Sequence, residues 1–215
     1  MKGVSDMKQY LQTLWLSVLA GICIGIGGTV NLSVENTVAG AFLFSVGLFM
    51  IVVNGLHLFT GKVGYLLDNR PSYLLYLLTV WIGNGVGTAF VGYALRFTRS
   101  AVTRDGARVY SMVQAKLDDS LLSIFILSFF CGILMYLAVN GYRVIQHGAG
   151  KCIAVILPVA VFILCGFEHC VANMFYFSAA NAWSGRAVGY LLVMSVGNAA
   201  GSVVFHTMNR VRGQS

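Results

Sequence analysis

Six stretches of this chain are apolar over a length that can cross a lipid bilayer: roughly residues 10–30, 38–67, 73–97, 121–141, 152–180 and 187–208. A helix needs about 20 such residues to span the hydrocarbon core. With six of them in 215 residues, little chain remains for a water-soluble domain. Only 10% of the residues are charged, against about a quarter in soluble domains. The second and fifth stretches are too long for one plain helix, and each is interrupted, by NGLHLFTGK at 54–62 and CGFEHC at 165–170. Irregular backbone survives at membrane depth only where it is buried in protein or lines a cavity. Both stretches therefore read as broken helices. Glu168 and His169 lie inside the second interruption, and ionisable groups in such a place point to function.

An internal repeat organises the spans. SVLAGICIG at 17–25 aligns with SFFCGILMY at 128–136, and at the same offset of 111 Gly55 falls on Gly166. GNGVGTAFV at 83–91 aligns with GNAAGSVVF at 197–205 after a slip of three residues. Each unit holds an odd number of spans, so the second enters the membrane from the opposite side. The expected fold is an all-α membrane protein with six transmembrane helices in an inverted 3+3 repeat, about 10–97 and 121–208. The second and fifth helices break at the midplane, and residues 1–215 form one transmembrane domain. Inverted repeats with paired broken helices place the substrate path where the units meet. The glycines of GICIGIGG and GNGVG resemble dinucleotide fingerprints, but no strand precedes them; they read as helix-packing positions.

The polar start MKGVSDMKQ is not followed by a short apolar run and cleavage site, so the first apolar stretch reads as a retained span. An even span count puts both termini on one side. Termini inside places Lys2, Lys8, Arg70, Arg143, Lys151, Arg210 and Arg212 there, against Arg96, Arg99, Arg104, Arg108, Lys116 and Arg186 outside. This slight excess favours cytoplasmic termini. The longest connection, 98–120, reads either as a solvated loop or as a basic vestibule that concentrates anions. Five cysteines without a CxxC spacing read as free thiols packed as small hydrophobes, and no metal site is expected. The net charge of +7 comes with no nucleic-acid module.

The motifs HLFTG at 57–61 and GFEHCVANMF at 166–175, with LPV at 157–159 ahead of the second break, resemble the formate/nitrite transporter family over nearly the whole chain. The resemblance implies an aquaporin-like protomer, a homopentamer in the cell (inner) membrane surrounded by lipid, and a channel for small monovalent anions of weak acids, with no cofactor and no enzymatic activity. It implies His169 as the central pore histidine, faced by Thr60. It places Phe44 and Phe162 at the outer apolar constriction, and Leu48, Leu58 and Phe59 at the inner one. Asn173 would brace the second break, and Lys116 would be a vestibule lysine at the start of the fourth span. The chain departs from the family in having His57 where an acid is common and Gly132 where some members carry Asn.

The residues themselves fit that chemistry. An anion entering hydrocarbon loses several kcal/mol of hydration, which donors at broken-helix ends and a histidine offset. Desolvation raises the pKa of the conjugate acid, so hydrosulfide, nitrite or formate beside His169 can cross as the neutral acid. LFTGK and the compact chain lean slightly toward the hydrosulfide and nitrite branches. Glu168 is expected to hold loop backbone N–H groups. Lys62 reads as a snorkelling or a pore residue, and Lys151 as a loop charge or an inner-vestibule lysine. His147 and His206 read as packing or helix-bridging residues. Three alternatives stay open: a proton-coupled anion transporter, a membrane haem protein in which His57 faces His169, and an aquaporin-type neutral-solute channel.

Overall fold

The computed structural model describes residues 2–104 and 107–212, with side chains for 7–100, 102–104 and 107–210; the side chains of Lys2 and Arg212, counted above for orientation, lie outside that set. No strand is present among the described residues. The order is α1 (Lys2–Ser33), α2 (Thr37–Val53), the short α3 (Phe59–Lys62) continued by a 3-10 turn (Val63–Asp68), α4 (Tyr73–Leu95), α5 (Arg108–Asp118), α6 (Leu121–Val144), α7 (Gly148–Leu164), α8 (Cys170–Ala179) and α9 (Gly185–Arg212). Among the described residues, four helices are long and apolar enough to cross a membrane unbroken: Met7–Ser33, Tyr73–Leu95, Leu121–Val144 and Gly185–Arg210. The other two apolar stretches are each divided. The connection 98–120 is no plain loop, because α5 occupies most of it.

The breaks have a local cause. Gly55 and Gly166 take φ of +64° and +65°, the left-handed region that glycine enters without a Cβ penalty. After Gly55, the Leu56 N–H turns back to the Ile51 carbonyl at 2.9 Å; after Gly166, the Phe167 N–H turns back to the Phe162 carbonyl at 2.9 Å. This six-to-one closure with glycine at its turn ends a helix and satisfies its last carbonyls. Both helices run 17 residues before the stop, about 25 Å. After each break a short connection leads to the next helix, α3 after the first and α8 after the second.

Other bonds repeat in both units, at offset 111 except for the bridging asparagines Asn84 and Asn198, which carry the slip of three. The His57 N–H donates to the Leu16 carbonyl, and the Glu168 N–H to the Leu127 carbonyl. Asn84 Oδ1 accepts from the Phe59 N–H at 2.9 Å while its amide donates to the carbonyls of Ser17 and His57 at 2.8 Å. Asn198 does the same for the Cys170 N–H and the carbonyls of Ser128 and Glu168. Helix α1 packs on α4, and α6 on α9. A Cβ at Gly21 would run into the Asn84 backbone oxygen, and one at Gly132 into that of Asn198. Glycine at these crossings lets the asparagines reach across.

Candidate functional site

The two breaks meet at one hydrogen bond. Thr60 Oγ1 and His169 Nε2 lie 2.9 Å apart, and both residues are buried. His169 is the N-cap of α8, and its Nδ1 accepts from the Ala172 N–H at 3.0 Å. A neutral imidazole that accepts at Nδ1 carries its proton on Nε2. The Nε2–H therefore donates to Thr60, whose own hydroxyl proton has no acceptor among the described residues.

Apolar side chains flank this bond. Phe162 stacks on the His169 ring at 5.6 Å and meets Phe44 edge-on, also at 5.6 Å. Leu48 lies one turn beyond Phe44 on α2, and Leu58 immediately precedes α3; both are about 2% exposed or less. Phe59 departs from expectation. It turns away from Leu58 into a groove between α4 and α9, beside Leu77, Trp81 and Ser195. Successive residues entering a helix point in different directions, so Leu58 and Phe59 cannot share one wall.

Glu168 also differs from expectation. Its carboxylate does not hold loop N–H groups; it accepts from Lys116 Nζ at 2.7 Å through both oxygens and from Asn173 Nδ2 at 2.8 Å. Lys116 sits near the end of α5, not at the start of α6, and Glu168 neutralises its charge. Asn173 also donates to the His169 carbonyl at 3.0 Å, while its Oδ1 is buried without a partner. His57 packs edge-on against Tyr76 and does not face His169, so the arrangement needed for paired haem ligands is not formed. His147 caps α7. His206 links Tyr136 of α6 to Asp68, a bridging position.

Lys62, Arg143 and Lys151 line the mouth of a cleft of about 290 Å³ that is also lined by Ile51, Leu58 and Gly61. Arg143 lies over the Tyr65 ring at 5.2 Å and Lys151 over the Tyr142 ring at 5.4 Å. Asp68, on the wall of an adjoining polar cleft, pairs with Arg210 near the end of α9; this mouth is on the side where α9 ends. Sequence reasoning missed Asn84 and Asn198. Their signal was present as a buried amide at matching places in two glycine-rich spans, but it was read only as helix packing.

Apolar helices of membrane-spanning length, with two broken stretches that meet at a buried threonine–histidine pair, fit the class of membrane transport proteins. The chain is a member of the formate/nitrite transporter family: the family model described as "Formate/nitrite transporter" matches residues 3–211. Among curated relatives, it is 30% identical to the uncharacterized transporter YrhG of Bacillus subtilis (strain 168), over 94% of this chain and 85% of the relative. It is also 30% identical to a probable formate transporter of Methanothermobacter thermautotrophicus, over 94% of this chain and 90% of that one. A solved structure described as a pentameric formate channel with formate bound superposes with a TM-score of 0.80 at 26% identity, covering 96% of this chain and 98% of the other.

Proposed function

We propose that this protein is a channel for small monovalent anions of weak acids, with formate, nitrite and hydrosulfide as the candidates. In this reading five protomers assemble in the cell membrane, each with its own pore and with both termini in the cytoplasm. The chain is one domain of six spans in an inverted 3+3 repeat, a reading supported by the bonding pattern that recurs at offset 111 around Gly55 and Gly166. The observation that carries the functional reading is the buried Thr60–His169 bond at 2.9 Å, with Phe162 stacked on the histidine ring.

The mechanism follows from that bond. An anion reaching the middle has lost most of its water between Phe44 and Phe162 on one side and Leu48 and Leu58 on the other. Thr60 accepts from His169 and turns its hydroxyl proton toward the anion, so the neutral imidazole polarises the donor without giving up its own proton. Two N–H groups of the first α8 turn, those of Cys170 and Ala172, are already taken by Asn198 and His169. The α8 N-terminal dipole still favours negative charge there. Desolvation disfavours the anion relative to its conjugate acid, so a proton taken up from the bulk solution as the anion enters, and returned to bulk on the other side, lets the solute pass neutral. Asn173 and Glu168 hold His169 in place, and Lys116 balances Glu168. Lys62 and Lys151 serve the inner vestibule.

Proteoliposome uptake of formate, nitrite and hydrosulfide, measured in parallel with and without a proton gradient, tests the proposal. Flux of at least one anion without a gradient is expected. Flux strictly requiring the gradient would instead establish proton-coupled transport, and no flux of any of the three would remove the reading.

A further inference from the structure

The mouth lined by Lys62, Arg143 and Lys151 carries more charge than a monovalent anion needs. None of the three has a carboxylate partner among the described residues; the ion pairs there are Lys116 with Glu168 and Asp68 with His206 and Arg210. The carboxylate closest in the adjoining cleft, Asp68, is thus already matched. Lys116, by contrast, is neutralised by Glu168 at 2.7 Å. Two of the three cations lie over aromatic rings, Arg143 on Tyr65 and Lys151 on Tyr142, which limits their freedom before any ligand arrives. The cleft of about 290 Å³ is also roomy for a three-atom anion, since one water takes about 30 Å³ of liquid.

We propose that this cleft binds a free multivalent oxyanion of the phosphate class, and that the bound anion plugs the pore at Leu58. Like charges held together around a concave, partly apolar wall repel each other and focus potential into it. A dianion relieves that repulsion where formate or nitrite relieves one charge only. The planar fork of Arg143 suits two oxygens at once, while the two lysines supply point charges. A phospholipid headgroup shares the chemistry, but as a diester it brings a single charge. Leu58 and Gly61, the chain neighbours of Phe59 and Thr60, also line the cleft, so on the channel reading an occupant stands in the anion's path. The plugging step rests on the channel reading; the binding step does not.

Inorganic phosphate is the probe. Titration into the full-length protein in detergent at low ionic strength, followed by phosphorus NMR line broadening and calorimetry, reads binding without transport. Lys62→Met, Arg143→Met and Lys151→Met are each expected to weaken it about tenfold. Lys151→Arg, which keeps the charge, should retain most of it and exclude misfolding as the cause, and Arg143→Lys, which keeps the charge without the fork, should fall between the parent and Arg143→Met. Native mass spectrometry with phosphatidylglycerol forms the second arm. Phosphate binding that is absent, insensitive to the three neutralisations or no tighter than formate binding overturns the proposal, as does retention of lipid alone. In proteoliposomes, phosphate on the Arg143 side should block formate or nitrite flux in the parent protein, and at about tenfold higher concentration in each neutralised variant. Binding without block would overturn the plug and keep the site; absence of flux even without phosphate would indict the channel reading, not the site.

Discussion

His169 has two neighbours that fix its protonation, Ala172 N–H at Nδ1 and Thr60 Oγ1 at Nε2. If the imidazole acts by polarising Thr60, His169→Asn, which is still a donor, should keep anion flux with the parent's pH response across pH 5 to 8, whereas a response flattened by the substitution would show that His169 gives up a proton. His169→Phe should abolish it, because the donor is gone and the middle is dry; undiminished nitrite or formate uptake by the Phe variant would take His169 out of the mechanism. Glu168 presents a different balance. It is 4% exposed, so removing its cation leaves a buried charge facing one amide. Lys116→Met is expected to cost about 3–5 kcal/mol, seen as a large drop in thermal midpoint in detergent, and Lys116→Met combined with Glu168→Gln should recover most of it. At the rim, the hydrogen bond from His206, with Arg210 beside it, holds the Asp68 carboxyl below its ordinary range. A carboxylate lowered in the fold contributes stability above its unfolded pKa of about 4 and loses it as pH falls through the folded value. Asp68→Asn should therefore lower the midpoint at pH 7, with the difference shrinking in acid; a constant difference from pH 7 to pH 3 would rule out this linkage.

At the scale of elements, the broken helices depend on two devices. One is the glycine turn. Gly166→Ala meets no atom within 4 Å, so its cost is the backbone alone, about 1–2 kcal/mol for an L-residue in the left-handed region. The other is the amide that ties each break to a neighbouring span. Asn198→Ala strips the Cys170 N–H and the Glu168 carbonyl of their side-chain partner, and the Ser128 carbonyl of its bond beyond the helix, and each unsatisfied buried group costs about 1–3 kcal/mol. Asn198→Ala should therefore destabilise more than Gly166→Ala, and the same ranking should hold for Asn84→Ala against Gly55→Ala. Equal thermal midpoints within either pair would show that the amides brace nothing.

For the whole molecule, the outer faces of α2, α4 and α7 expose Phe42, Leu43, Met50, Leu78, Phe90, Ile153 and Leu157, a surface suited to lipid or a neighbouring copy. The proposed assembly predicts five protomers in native mass measurements from mild detergent, with flux proportional to protomer count. A fully active monomer would exclude the pentamer.

The sequence by itself determined where the chain enters lipid, where two helices must stop and which segment carries the ionisable pair. Those are local properties: apolarity summed over a span, a glycine free of Cβ, a histidine among hydrophobes. Even the repeat was readable, because Gly21 and Gly132 answer close crossings that only glycine permits. Partnership was decided by the tertiary structure. Thr60 and His169 are 109 residues apart, and nothing local states that their breaks touch. Glu168 found Lys116 and not the loop backbone because α5 lays its lysine over the break. Phe59 lines the α4–α9 groove while Leu58 lines the basic cleft, a difference that hydropathy, which scores both as apolar, does not register. Lys62, Arg143 and Lys151 are scattered along the chain and share a cleft only because α2, α6 and α7 converge on the first break, so their charge acts as one only in the folded molecule.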